Sequence, residues 1–226
     1  MLILTEQQGR VNRYVKCYTV SYMLENLTLV NVLVVLVCLL VSMTVHEFMH
    51  AYVGFRLGDT TAMEKGRVSF NPLHHIDPFM TVLLPVVTLL LFHVPILAAK
   101  PVPFNPGRLK FGELGAALLA FAGPASNLVL AFAGALLLRF VDLGSFLNQA
   151  AVFFVELNVA LAVFNLVPIP PLDGSRVLYA FAPEPVQDFM ERIEPYGFFI
   201  IITLVLWGGA SNVLLSLDNF VLRVLP

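Results

Sequence analysis

The chain has 226 residues, 58% of them hydrophobic and 12% charged, with a formal net charge of −2. Soluble domains run at about 45–50% apolar and about 25% charged, so this composition belongs to a membrane protein. The near-zero charge gives no electrostatic footprint for nucleic acid. The length suits one compact multi-span domain and leaves no room for a large soluble module. Two cysteines, Cys17 and Cys38, supply neither a disulfide framework nor the paired cysteines of a zinc ribbon; Cys38 is expected to be a small buried hydrophobe.

In chain order, residues 1–26 form a polar arm containing Arg10, Arg13 and Lys16, expected to lie on the surface or to be poorly ordered. Residues 27–226 are expected to form a single membrane-embedded domain. A span needs about 20 apolar residues. The runs that qualify are Leu27 to about Leu57, Phe79–Ala98, Leu114–Phe140, Ala150–Pro168 and Tyr196–Leu217. The first carries the histidine motif described below, so it cannot be a removable signal peptide without loss of that motif. Pro85, His93 and Pro95 interrupt the second, which is expected to be re-entrant or a tilted, broken element. Between the first two runs, Gly66 and the β-compatible residues after it suggest a small hairpin over Thr60–Phe70. Lys100–Pro106 holds three prolines and reads as extended chain. The expected fold is thus an all-α polytopic membrane protein of about five apolar helices, one of them re-entrant, with a small membrane-associated β-hairpin. Basic residues cluster between the first run and Leu114, which places the exit side of the first helix in the cytoplasm; the basic N-terminal arm argues the other way.

Inside the first apolar run stands His46-Glu47-Phe48-Met49-His50. Ionisable groups at membrane depth are costly and mark function by default. At i and i+4 both imidazoles project from one helix face, and two neutral imidazoles suit zinc. Glu47 lies just off that line, placed to reach a water on the metal without ligating it. A polar cluster hydrogen-bonded to neighbouring helices is the bland alternative.

A catalytic zinc takes a third protein ligand and keeps an open position. Asp173, in Pro168-Ile169-Pro170-Pro171-Leu172-Asp173-Gly174, is the best candidate, because three prolines must interrupt a helix and present the carboxylate from irregular backbone. The alternative is an N-cap aspartate on a helix starting at Gly174. For His46–His50 and Asp173 to share one depth, the first run and the run ending near Pro168 must cross the membrane in the same direction.

These residues, with Gly123-Pro124-Ala125-Ser126-Asn127, Lys100-Pro101-Val102-Pro103 and Asn165 upstream of Asp173, resemble the site-2 protease family of intramembrane zinc metalloproteases, most closely its compact members without a PDZ domain. The resemblance covers roughly Val41 to Ala182. It implies one zinc per chain held by His46, His50 and Asp173, with Glu47 as acid/base. It implies substrate contact by Asn165, strand addition by the hairpin, and transmembrane or membrane-associated substrates in the lipid bilayer of the cytoplasmic membrane. The run Phe79–Ala98 departs from the many members that have only a loop there.

The competing function is a metal-ion transporter or a metal-binding membrane protein without peptidase activity, since intramembrane His and carboxylate groups also mark ion paths. His74 and His75 read as interfacial histidines and His93 as a satisfied polar residue. Asp59 and Asp77 read as turn caps, and Asn127 as an interhelical hydrogen-bonding residue.

Overall fold

The structure is a computed structural model that describes residues 28–77, 102–206 and 209–226. The polar arm and the run Phe79–Ala98, with its re-entrant expectation, lie outside the described residues. Among the described residues, three helices are long and apolar enough to cross a membrane: α1 (Leu29–Arg56), α3 (Glu113–Phe140) and α4 (Ser145–Asn165). They match three of the five runs. In the last run, Tyr196–Leu217, the described residues on either side of 207–208 are helical, α7 (Gly197–Leu206) and α8 (Gly209–Val224). Two shorter helices, α5 (Asp173–Tyr179) and α6 (Glu184–Ile193), connect α4 to α7.

The arrangement of polarity is inverted relative to a soluble protein. On α1, Leu33, Leu36, Val37 and Leu40 are exposed, whereas Ser42, Thr44, His46, Glu47 and His50 are buried. In a bilayer, lipid tails are as apolar as leucine, so helices associate through close packing and interhelical hydrogen bonds rather than hydrophobic burial. Helix α3 is built for that role. It buries Ala116, Ala120, Gly123, Ala131 and Ala135 and packs against both α1 and α4. Ala131 and Ala135 meet Val155 and Val159 of α4, with Val221, Leu222 and Leu225 closing over them from the C-terminal segment. Cys38 is buried against Phe153, as expected of a small hydrophobe.

The contacts also give direction. Leu119 meets His50 while Asn127 meets His46, so α3 runs antiparallel to α1. Cys38 meets Phe153 and Ser42 meets Asn158, so α4 runs parallel to α1. This is the parallel relation that a shared depth for His46–His50 and Asp173 demands.

The hairpin expected over Thr60–Phe70 is not there. Thr61–Glu64 forms a helical turn, α2, and no strand occurs among the described residues. Asp59, which is 1% exposed, makes an Asx-type turn just ahead of α2. Its Oδ1 accepts from the Thr61 backbone N–H at 3.0 Å and the Thr61 hydroxyl at 2.5 Å, so the chain turns where the β-compatible residues alone suggest a strand. Gly66, at φ +69°, then turns the chain. The same carboxylate accepts from the Asn105 N–H at 2.6 Å and so ties the exit of α1 to the extended Val102–Asn105 segment.

Burial pushes the Asp59 carboxyl up. The bonds from Thr61 and Asn105, with the charge of Arg108, outweigh it and hold the group below the ordinary carboxylate value. A carboxylate depressed on folding contributes stability that is complete above its unfolded pKa of about 3.9 and lost as pH falls through the lower folded value. Asp59→Ala should therefore cost about 2 kcal/mol at pH 7, measured by thermal unfolding in detergent. The gap to wild type should narrow as pH is taken below about 4; a gap constant with pH would contradict this role.

Candidate metal centre

Three side chains from two distant segments meet at one point. His46 and His50 lie one turn apart on α1, and Asp173 is the first residue of α5. The two Nε2 atoms are 3.0 Å apart, and Asp173 Oδ2 lies 3.2 Å from that of His46 and 3.3 Å from that of His50. Among the described residues, these three are the group whose candidate ligand atoms converge within 4.8 Å.

Local backbone explains how Asp173 arrives there. After Asn165, the prolines at 168, 170 and 171 forbid continued helix. The chain folds through short turns instead, with Ile169 N–H on Val167 O at 2.8 Å and Leu172 N–H on Ile169 O at 2.9 Å. Gly174 is essential to this compaction, since a Cβ there would sit 2.1 Å from Leu166 O. Leu172, not Asp173, occupies the N-cap of α5 and makes no side-chain cap, so the capping alternative for Asp173 does not hold. Its carboxylate turns to the histidines instead.

The protons around the site decide its chemistry. His50 Nδ1 lies 2.8 Å from Leu119 O. A carbonyl can only accept, so Nδ1 carries the hydrogen and the neutral ring presents a bare lone pair at Nε2. His46 Nδ1 donates to Asn127 Oδ1 at 2.6 Å, which leaves its Nε2 bare as well. Asp173 Oδ2 is buried with no hydrogen-bond partner. With both rings neutral, three electron-pair donors face one another with no hydrogen between them, an arrangement that a cation relieves.

Glu47 is also buried and near enough to His46, His50, Asp173 and His75 to interact electrostatically. It is not one of the three converging ligand atoms, in keeping with a position beside the site rather than in it. Asn165 ends α4 with its side-chain N–H on Leu161 O at 2.9 Å. His75, read from sequence as interfacial, is buried within the protein; its Nε2 donates to Ser69 O at 2.8 Å and its Nδ1 is buried without a partner. Ser42 and Asn158, both 0% exposed and bonded to each other at 2.9 Å, belong to the surroundings of the site. The signal for Asn158 was an amide in mid-helix within an apolar run.

The C-terminal part of the chain, residues 142–207, matches the family model for peptidase family M50. Several relatives bear the name "Putative zinc metalloprotease". YwhC of Bacillus subtilis is 38% identical over 192 residues, covering 81% of this chain and 84% of the relative. Rip2 of Mycolicibacterium smegmatis is 32% identical over 174 residues, covering 74% of this chain and 64% of the relative. MJ0611 of Methanocaldococcus jannaschii is 43% identical over a shorter stretch of 60 residues. No solved structure matches the chain.

This chain belongs to peptidase family M50, the site-2 protease family of metalloproteases.

Membership decides between the peptidase and transporter readings, and with the apolar helices it makes the chain a multi-pass membrane protein. Within this M50 chain, Gly123 of α3 is the floor on which both imidazoles rest. A Cβ there would lie 2.3 Å from His50 Nε2 and 2.7 Å from His46 Cε1. Gly123→Ala should displace both rings and weaken divalent-metal binding by about tenfold or more, measured by competition with a chelating dye, while helix content by circular dichroism stays at the wild-type level. Unchanged affinity would show that the close approach is dispensable.

Proposed function

We propose that the chain is a zinc endopeptidase that hydrolyses a peptide bond of a transmembrane or membrane-associated segment, within or beside the bilayer of the cytoplasmic membrane. The domain that does this is residues 27–226. The observation that carries the reading is the convergence of His46 Nε2, His50 Nε2 and Asp173 Oδ2. Their separations of 3.0, 3.2 and 3.3 Å are close to the edge of about 3.3 Å that follows for a tetrahedron whose corners lie about 2.0 Å from its centre, the usual distance from zinc to nitrogen or oxygen. Two imidazoles and one carboxylate also form the donor set of an open catalytic site. The residues therefore fit one zinc per chain.

Zinc bound there supplies a water acidified toward pKa about 7 and a Lewis acid for the substrate carbonyl. Glu47 takes a proton from the attacking water and passes it to the amine nitrogen as the C–N bond breaks. Asn165, at the C-terminal end of α4, engages the substrate backbone. Because the carbonyls of an intact helix are bonded within it, the substrate must unwind locally. Helix-breaking residues near the scissile bond should raise the cleavage rate.

The test is Glu47→Gln against wild type on a model transmembrane substrate in detergent. General acid–base catalysis contributes about 10²–10⁴-fold, so cleavage should fall by at least about a hundredfold while bound zinc stays near one per chain. Equal cleavage by the two proteins would remove Glu47 from the mechanism; equal loss of zinc would make it a ligand instead.

A further inference from the structure

His50 and His46 orient their rings by different means. Leu119 O fixes His50, and a main-chain carbonyl has no second orientation. His46 faces a side-chain amide, whose oxygen and nitrogen could exchange places. Something must hold Asn127 with its oxygen toward His46.

The constraint can be followed atom by atom into α4. Phe154 O only accepts, so the Asn158 atom 2.8 Å from it is Nδ2. Asn158 Nδ2 also donates to Ser42 Oγ at 2.9 Å. Its Oδ1 therefore faces Asn127 and accepts from Asn127 Nδ2 at 2.8 Å. The second Asn127 N–H points toward Ser42 O at 3.5 Å. Asn127 Oδ1 is left for His46 Nδ1. Ser42, Asn127 and Asn158 are each 0% exposed, so no solvent can satisfy a flipped amide. Turning Asn127 over would set its N–H against the imidazole N–H on one side and its oxygen against Asn158 Oδ1 on the other. Turning Asn158 over would set its oxygen against Phe154 O.

We propose that Asn158, supported by Ser42, is a positioning residue that acts through Asn127 to hold His46 in the tautomer whose bare Nε2 faces Asp173. It touches neither the ligand atoms nor the substrate. The proposal deepens the metal-site reading and rests on it for its consequence, but the tautomer itself is a property of the metal-free chain.

The test is ¹⁵N NMR of the full-length, metal-free protein labelled at histidine, in detergent, together with zinc affinity by dye competition. In wild type, His46 and His50 should both carry the hydrogen on Nδ1. A His46 whose Nδ1 carries no hydrogen would overturn the proposal without any variant being made. Asn158→Leu removes the amide, so His46 should become a mixture of tautomers and zinc should bind about tenfold more weakly or worse. His50 should keep its hydrogen on Nδ1, held by Leu119 O, as the internal control on helix packing. Asn158→Asp, with a protonated carboxyl whose O–H replaces the amide donor to Phe154 O, still offers an acceptor to Asn127 Nδ2 and should keep the wild-type tautomer. A packing role alone would leave the His46 shifts of Asn158→Leu unchanged, and that result overturns the proposal. A wild-type protein with the expected tautomers but no affinity for zinc would count against the metal reading while leaving the relay standing.

Discussion

Two neutral imidazoles and a carboxylate held at hydrogen-bond distance with their lone pairs facing are an arrangement that a protein interior does not tolerate unaided. Buried polar groups need partners, and here the partners of both imidazoles are spent on the far side of each ring. Everything else in the structure serves that convergence. Helix α1 supplies two donors one turn apart, the proline turns after α4 bring the third, and α3 lies beneath with a glycine where a methyl group would collide. The cost of facing lone pairs is the physical reason to place a cation there.

What holds the three long helices in register is not the hydrophobic effect. Among the described residues, five interhelical hydrogen bonds surround the site: His46–Asn127, His50–Leu119, Asn127–Asn158, Asn158–Ser42 and Asn127–Ser42. At about 0.6 kcal/mol for an average interhelical bond in a membrane, together they contribute about 2–3 kcal/mol. That is too little to assemble the bundle and enough to choose which atom faces which. Assembly falls to the alanines and glycines of α3, which let three backbones approach closely. The division of labour is between small residues that bring helices together and amides that orient rings.

Much of the site was legible because its signals are local. The spacing of His46 and His50 places both rings on one helix face, and an aspartate after three prolines cannot lie in mid-helix. The three long helices follow from apolar run length. The rest was hidden because its contacts are not carried by sequence pattern. Residues after Asp59 form a helical turn where composition suggested a hairpin, and Asp59 is buried against Asn105, distant in sequence. Asn158 drew no reading as a site residue, because its partner Ser42 lies 116 residues away. The burial of His75 likewise comes from the folding of its own loop, which periodicity does not reveal.

The central claim is that two imidazoles and the Asp173 carboxylate hold one divalent ion. X-ray absorption spectroscopy at the zinc edge, on the zinc-loaded chain in detergent, addresses it directly. Wild type should show two imidazoles and light oxygen donors at about 2.0 Å. Asp173→Asn should keep the imidazole signals while changing the oxygen shell and losing affinity. A spectrum without imidazole, or an oxygen shell and affinity untouched by Asp173→Asn, would contradict the account.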